Sequence, residues 1–248
     1  AEIAAGETLP RFRSILTVEK KSSERGFDPV TVADHATEAA LRRAIELRFP
    51  DHGIQGEESA DKAGAGRFSW IIDPIDGTRS FMSGMPTWGT LVGLLDNGRP
   101  RFGMMSQPYV GDRFVGGEGK AELVTDNGVT VLQCRPAASL GTATLFSTSP
   151  DMFAVGSERE AFDRLSVQTR LLRFGADCYG YCLLAAGHVD LVVEASLAFH
   201  DIAPLIPIIE GAGGVVTDWS GAPVVDGGQV IAAASEELLA ASLAILTA

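Results

Sequence analysis

The stretch that most constrains the fold is Trp70–Thr78, which reads WIIDPIDGT and leads an apolar, β-branched run directly into two carboxylates. The apolar run predicts a buried strand. Asp73 and Asp76 flank a proline-containing turn, so both side chains can reach the space beyond the end of that strand. Two hard carboxylates suit Mg²⁺, which takes oxygen ligands and keeps several waters. The sequence therefore predicts a metal site at this strand end.

The last two residues of the stretch predict an anion site in the same turn. The backbone amides of Gly77 and Thr78 would open the next helix, and a helix N-terminus attracts phosphate. The alternative is that Asp-Pro and Asp-Gly only mark a surface turn, because both dipeptides are frequent in turns.

Three further acidic motifs accompany this stretch. Asp28–Asp34 reads DPVTVAD, Gly56–Ser59 reads GEES, and Asp201 begins the sequence DIAP. In this order the motifs resemble the inositol monophosphatase superfamily of Mg²⁺-dependent, lithium-sensitive sugar-phosphate phosphatases, and the resemblance covers nearly the whole chain. It implies an α/β (α+β) fold, a layered αβαβα sandwich of the inositol monophosphatase/fructose-bisphosphatase type. It also implies a homodimer.

The resemblance implies the ligands of two metal ions. They are Glu57, Asp73 and the carbonyl of Ile75 for the first Mg²⁺, and Asp73, Asp76 and Asp201 for the second. A third, weaker metal could lie near Glu57 and Glu58. Two metals roughly 3.5–4 Å apart can clamp the attacking and leaving oxygens of an in-line displacement by water. From the residues alone, Asp201 could instead serve only as a helix cap.

The resemblance also assigns a catalytic set. Asp34 would orient the hydroxyl of Thr78, which would hold the attacking water, and Glu57 completes the set. Alternatively, Asp34 is simply an acidic residue favoured at a helix N-terminus. His200 departs from the family, which commonly carries Trp before the late Asp. This change is expected to alter a pocket wall and to leave the metal ligand in place.

Net charge restricts the kinds of binding partner that we expect, and cysteine content indicates the cellular compartment. The net charge of −12 argues against nucleic-acid backbones and anionic membranes. A phosphorylated metabolite would also be repelled unless a cation intervenes, which favours a metal. Three cysteines, an odd number, fit a reducing compartment better than a disulfide framework. Because no apolar run is long enough to span a bilayer and no signal-peptide pattern is present, we expect a cytoplasmic protein.

The patterning predicts two intimately packed domains, with a boundary near Cys134. Residues 1–134 are expected to form an N-terminal α+β domain that carries the metal motifs and an antiparallel meander, and residues 135–248 a C-terminal α/β domain. Four local predictions are specific. Residues 1–20 should be helical, with the helix interrupted or ended near Pro10, Lys20–Asp28 a loop, Asp34–Phe49 a helix, and Asp201–Gly211 a helix.

The substrate prediction depends on a narrower resemblance, to the histidinol-phosphate phosphatase branch. It is carried by DPIDGTRSF at Asp73–Phe81, by Gly89–Leu91 with Gly103–Pro108, and by GADCY at Gly175–Tyr179. Histidinol carries an ammonium and an imidazole, so carboxylates beyond the phosphate site would suit it. The predicted substrate contacts are Asp177, Glu194 and Arg79.

Several alternatives stay open. Asp177 could instead be a helix N-cap, and Arg79 could be a surface residue. The substrate could be myo-inositol-1-phosphate or a 3′-phosphoadenosine nucleotide. A non-catalytic, metal-binding regulatory protein is the alternative from a different class.

Overall fold

The computed structural model describes residues 1–15, 18–20, 29–136 and 139–248. The first half contains helices α1 (Glu2–Thr8), α2 (Val32–Arg48) and α3 (Thr78–Ser83), and strands β1 (Val18–Lys20), β2 (Pro29–Thr31), β3 (Gly53–Gly56), β4 (Phe68–Asp76), β5 (Gly89–Asp96), β6 (Arg99–Gln107), β7 (Asp112–Gly117), β8 (Lys120–Thr125) and β9 (Gly128–Val131). The second half contains helices α4 (Ser157–Ser166), α5 (Asp177–Ala185), α6 (Phe199–Ile202), α7 (Ile206–Gly211) and α8 (Glu236–Leu246), and strands β10 (Thr144–Ser147), β11 (Leu171–Phe174), β12 (Leu191–Leu197), β13 (Val215–Thr217) and β14 (Gly228–Ala233).

The first large sheet is the predicted antiparallel meander. Strands β3 to β9 lie in sequence order, and each pair is antiparallel except β3 and β4, which run parallel. The turn between β5 and β6 shows how the local sequence favours a hairpin. Asn97 and Gly98 have φ of 51° and 79°, the positive values that a tight hairpin turn of this twist requires.

Strand β4 is covered on both faces, which explains its continuous apolar run. On one face Ile72 packs in a cluster with Leu41 and Ile45 of α2. On the other face Ile71 packs against Leu95 and Ala203. A strand segment buried on both sides has no polar face to alternate with, so Trp70–Ile72 is a continuous apolar run.

The second sheet has the order β11-β10-β12-β14-β13. Strands β11, β10 and β12 are parallel, and β14 pairs antiparallel with both β12 and β13. Helices α5, α6 and α7 lie between the two sheets and share one apolar cluster with residues such as Leu91 of the first sheet and Val192 of the second. Helices α4 and α8 cover the outer face of the second sheet. With α1 and α2 outside the first sheet, the layers run α-β-α-β-α, so the predicted sandwich is confirmed.

Two local predictions differ from the structure, and one strand was not predicted. Helix α1 ends at Thr8, close to Pro10 as predicted, but Val18–Lys20 is a strand paired with β2 and not a helix. Strand β3 was not predicted, since its four residues include two glycines and are recruited by parallel pairing with β4. Asp201–Gly211 is two helices, because Pro204 lacks the amide that would continue α6. Residues 21–28, most of the predicted Lys20–Asp28 loop, lie outside the described residues.

The proposed domain boundary near Cys134 falls between the last strand of one sheet and the first strand of the other. The cluster between the sheets draws on both halves of the chain, so the two halves share a core. The division into residues 1–134 and 135–248 stays a prediction. Within the described part of the chain, the helices are all too short or too polar to cross a bilayer.

Candidate metal centre and substrate cavity

Local distortion of β4 brings Asp73 and Asp76 to one place. In a regular strand, residues three apart point to opposite faces. The pairing of β4 with β5 shifts register between Asp73 and Asp76, and the amide of Ile75 donates to Asp73 Oδ1 over 3.0 Å. Gly77 then adopts φ 81° and begins α3. The Pro-Ile-Asp-Gly sequence therefore folds into a turn that presents both carboxylates beyond the strand end.

Asp201 joins them from the other half of the chain. It lies in the first turn of α6, where its Oδ2 accepts the amide of Ala198 over 2.8 Å. Carboxylate oxygens of Asp73, Asp76 and Asp201, one from each, all lie within 4.8 Å of one another. Asp201 is thus a helix cap and a member of the acidic cluster at once, so the two interpretations of this residue are compatible.

Glu57 contributes a second group around Asp73. A carboxylate oxygen of Glu57, one of Asp73 and a ring nitrogen of His200 lie within 4.8 Å of one another. His200 Nε2 is also 3.3 Å from Asp201 Oδ1. The sequence identified His200 only as a change in a pocket wall, whereas in the fold it offers a nitrogen next to the predicted ligands. In the sequence, only its position next to Asp201 indicated that His200 could lie near the metal ligands.

The electrostatics of the cluster favour a cation. Burial is the largest cause that raises the pKa of Asp73 well above its ordinary value, followed by the charges of Glu57, Asp76 and Asp201. Burial and the charge of Asp201 likewise raise the pKa of Asp76 well above its ordinary value. Buried carboxylates that repel one another are stabilised in their ionised form by a bound cation. The donor set is mostly hard oxygen, which fits a divalent metal.

Asp34 and Thr78 are engaged with other partners. Asp34 Oδ2 accepts the amide and the hydroxyl of Thr31 over 2.8 and 2.6 Å, which forms a capping box at the start of α2. Thr78 Oγ1 donates to the carbonyl of Ile75 over 3.1 Å. The capping interpretation of Asp34 is therefore realised, and the expected hydrogen bond from Thr78 to Asp34 is not formed between these two described residues. Their joint catalytic role stays a prediction.

A cavity of about 230 Å³ opens beside the cluster. It is lined by residues from β4, α3, α5, β12 and α6, among them Asp76, Gly77, Thr78, Arg79, Asp177, Tyr181, Glu194 and Asp201. All three predicted substrate contacts therefore lie on its wall. Arg79 is exposed, whereas Asp177 and Glu194 are largely buried, with 9% and 2% of their surface exposed.

Both buried carboxylates of the wall accept hydrogen bonds from the protein. Glu194 accepts the amide of Thr148 over 2.7 Å and the hydroxyl of Tyr181 over 2.9 Å. Burial nevertheless raises the pKa of Glu194 to about 7. Asp177 accepts the hydroxyls of Ser80 and Thr87, and it makes no side-chain cap to its own helix. The alternative of Asp177 as an N-cap is thus not realised.

Sequence reasoning missed the residues that hold these carboxylates. They are Ser80, Thr87, Thr148 and Tyr181. Ser80 lies inside the motif Asp73–Phe81, and Thr87 and Tyr181 each lie two residues from another motif, whereas Thr148 lies in none of them. Cys178 belongs to the same group, because its amide donates to Asp76 Oδ2 over 2.7 Å and so ties α5 to the acidic cluster.

Comparison with known proteins agrees with this geometry. A profile of the inositol monophosphatase family matches residues 1–247. The chain is 38% identical over 221 residues to the chloroplastic bifunctional phosphatase IMPL2 of Arabidopsis thaliana, covering 88% of this chain and 62% of that protein. It is 34% identical over 236 residues to the histidinol-phosphatase of Chlorobaculum parvum, covering 94% of this chain and 88% of that protein. The chain belongs to the inositol monophosphatase family.

A solved structure extends the agreement to three dimensions. An inositol monophosphatase from Zymomonas mobilis superposes with a TM-score of 0.87 at 37% sequence identity, covering 100% of this chain and 94% of that one. The protein is therefore a phosphatase of this family, with an acidic cluster that could hold the divalent metal that such enzymes use. The predicted superfamily, with its histidinol-phosphatase branch, is confirmed.

Proposed function

We propose that the protein is a Mg²⁺-dependent phosphomonoesterase that hydrolyses histidinol phosphate to histidinol and phosphate. The observation that carries the proposal is the composition of one cavity. The acidic cluster of Asp76 and Asp201 borders it at one side, and the buried carboxylates of Asp177 and Glu194 belong to the same wall. Such a cavity combines a place for a metal-bound phosphate with a place for a cationic group.

The proximity of the carboxylates of Glu57, Asp73, Asp76 and Asp201 supports the proposed metal ligands. Asp73, Asp76 and Asp201 would hold one Mg²⁺, and Glu57 and Asp73 would hold another. The family resemblance adds the carbonyl of Ile75 to the site of Glu57, and a weaker third metal near Glu57 and Glu58. Bound there, the metal would neutralise the phosphate and lower the pKa of a coordinated water. The proposed role of Thr78 in orienting that water, with Asp34 behind it, is supported by the place of Thr78 on the cavity wall beside Asp76.

The phosphate end would be held by the start of α3. Gly77 and Thr78 line the cavity next to Asp76, and Arg79 follows them on the same wall. Backbone amides and a guanidinium are the donors that phosphate oxygens prefer. In a chain of net charge −12, these donors and the metals would offset the repulsion of an anionic substrate.

The alcohol part of the substrate would be recognised through its positive charge. Asp177 and Glu194 are buried acceptors in a wall that also contains the apolar side chains of Met152 and Leu197. Low local polarity strengthens a charge-assisted hydrogen bond to an ammonium or imidazolium. A polyol has no cationic group to compensate these carboxylates, so the wall favours an amine-bearing phosphate over inositol phosphate.

The relatives support both the proposal and its main alternative. The Chlorobaculum parvum protein is named a histidinol-phosphatase, and the Zymomonas mobilis structure is that of an inositol monophosphatase. Myo-inositol-1-phosphate is therefore the second candidate, ahead of a 3′-phosphoadenosine nucleotide. The intact acidic cluster speaks against a non-catalytic regulatory protein. The homodimer, the cytoplasmic location and the lithium sensitivity stay predictions from the sequence.

A substrate panel tests the proposal directly. Phosphate release from histidinol phosphate, myo-inositol-1-phosphate and a 3′-phosphoadenosine nucleotide is measured with Mg²⁺ and with EDTA. We expect hydrolysis only with Mg²⁺, and the highest kcat/KM for histidinol phosphate. A preference for inositol phosphate would overturn the substrate assignment and leave the phosphatase assignment in place. No release from any substrate would favour the regulatory alternative.

A further inference from the structure

One carboxylate oxygen and two hydroxyls form a compact group on the cavity wall. Ser80 Oγ lies 2.6 Å and Thr87 Oγ1 lies 2.8 Å from Asp177 Oδ2, and the two hydroxyl oxygens are 3.0 Å apart. We call these three residues the Asp177 clamp. Each hydroxyl has one proton, and the carboxylate carries the negative charge, so both protons are best placed on Oδ2. Both donors therefore hold the same oxygen.

The backbone shows that this arrangement is imposed by tertiary structure. Asp177 is the first residue of α5 yet has φ 47°, in the left-handed region that non-glycine residues rarely adopt. An acidic side chain in the first turn would ordinarily bond to the amides of its own helix. Asp177 instead reaches across to α3 and to the loop that follows it. Such a conformation persists where surrounding contacts over-determine it.

Gly77 provides the space for the clamp. A Cβ placed on Gly77 would lie 2.9 Å from Cγ of Asp177, closer than real Cβ atoms approach. At the neighbouring residue, the amide of Cys178 is bonded to Asp76. The start of α5 is therefore fixed at both sides, by the acidic cluster and by the clamp.

The second oxygen of Asp177 has a different environment. Oδ1 accepts no hydrogen bond from the residues that the structure describes, while Asp177 lines the cavity. Because Oδ2 is held by two donors, rotation of the carboxylate is restricted and Oδ1 favours one direction. A fixed, unshared acceptor suits an N–H donor of the substrate better than a mobile one, because less freedom is lost on binding.

We infer that Ser80 and Thr87 are positioning residues that determine specificity by orienting Asp177 toward a cationic group on the substrate's alcohol part. The inference rests on the proposed function, and it names the class of substrate as a phosphomonoester bearing an amine or imidazole. Neither hydroxyl needs to touch the substrate. Their effect acts through Asp177 and is expected in substrate selectivity.

The main test removes both hydroxyls. Ser80→Ala with Thr87→Val should lower kcat/KM for histidinol phosphate on the order of tenfold, mostly through a higher KM, because a hydrogen bond to a charged group loses its orientation. Hydrolysis of p-nitrophenyl phosphate, which has no cationic group, should fall much less. Histidinol alone, tested as an inhibitor of p-nitrophenyl phosphate hydrolysis, should bind more weakly to the variant.

Matched variants separate positioning from folding. Ser80→Thr and Thr87→Ser keep a hydroxyl at each position and should retain wild-type selectivity. Ser83→Ala is the control on the same helix, since the exposed Ser83 hydroxyl bonds only to the carbonyl of Ser80 among the described residues. Should the double variant fail to fold, Thr87→Val alone, which preserves side-chain volume, carries the same comparison.

The outcomes distinguish the inference from the proposed function. Equal losses on both substrates, or an unchanged ratio, would show that the clamp only supports the fold and would overturn the inference. In that case wild-type hydrolysis of histidinol phosphate would still stand. A wild type that neither hydrolyses histidinol phosphate nor binds histidinol would overturn the proposed function and the inference together.

Discussion

The acidic cluster and the cavity wall both contain buried carboxylates, but the groups around these carboxylates differ. In the cluster, Asp73 and Asp76 have other carboxylates as neighbours, and these charges add to burial in raising the pKa of both. On the wall, Asp177 and Glu194 have hydroxyl and amide donors as neighbours. The first arrangement would be stabilised by a bound cation. The second is oriented by the protein and is suited to recognition.

The largest expected effect comes from removing the carboxylate shared by both predicted metal sites. Asp73→Asn should abolish Mg²⁺-dependent hydrolysis, because Asp73 belongs to both clusters of potential ligands. The same change should raise the melting temperature measured in EDTA, since it removes a buried charge that its neighbours repel. Calorimetry and phosphate release measure the two effects.

Added Mg²⁺ provides the control for this variant. It should raise the melting temperature of the wild type, because a ligand that binds only the folded state stabilises it, and should have little effect on Asp73→Asn. Appreciable activity of the purified variant would refute the two-metal assignment and with it the contrast between the two regions.

The next effect concerns the wall. Asp177→Asn keeps the side-chain volume and deletes the charge, so kcat/KM for histidinol phosphate should fall on the order of ten- to a hundredfold. Hydrolysis of p-nitrophenyl phosphate should change much less, since the acidic cluster is intact. Steady-state kinetics on the two substrates measure the difference. An equal loss of kcat/KM on both substrates would show that Asp177 supports the acidic cluster and does not recognise the substrate.

A smaller effect is expected from lithium. If the second metal site, bounded by Asp76 and Asp201, exchanges its ion readily, Li⁺ at millimolar levels should inhibit. A small monovalent ion can occupy an oxygen site but supplies less charge to the leaving oxygen. Turnover is measured in LiCl against KCl at equal ionic strength. Equal rates in the two salts would argue against a labile second site.

The smallest effect is on stability. Burial raises the pKa of Glu194 from 4.5 to about 7 in the folded protein. The folded state therefore holds its proton more tightly than the unfolded state, and stability is lost as the pH rises through this range. Glu194→Gln should reduce the fall in unfolding free energy between pH 5 and pH 8 by about 1–3 kcal/mol.

Urea unfolding at the two pH values, in EDTA, measures this difference. Comparing slopes cancels the hydrogen bond that the amide loses to Thr148 or Tyr181, because that loss is nearly constant with pH. If the unfolding free energy of wild type and variant changed equally with pH, Glu194 would be ionised over the whole range. The raised pKa would then be a property of the acidic cluster and not of the wall.

Local sequence was sufficient for much of the fold and of the acidic motifs. Periodicity predicted α2 and the meander, because side-chain spacing follows directly from helix and strand geometry. The turn after β4 identified Asp73, Asp76 and Gly77, because proline and glycine restrict or permit particular backbone angles. The joining of these residues with Glu57 and Asp201 was predicted from a family resemblance, and the fold brings them together.

Only the tertiary structure decided where the side chains of single positions point. Asp177 crosses to Ser80 and Thr87 instead of capping its own helix. Strand β3 exists because β4 offers it a partner. These outcomes depend on contacts between residues up to 97 positions apart, such as Ser80 with Asp177. Composition and periodicity cannot predict such pairs, because they describe residues that are close in sequence and not residues that packing brings together.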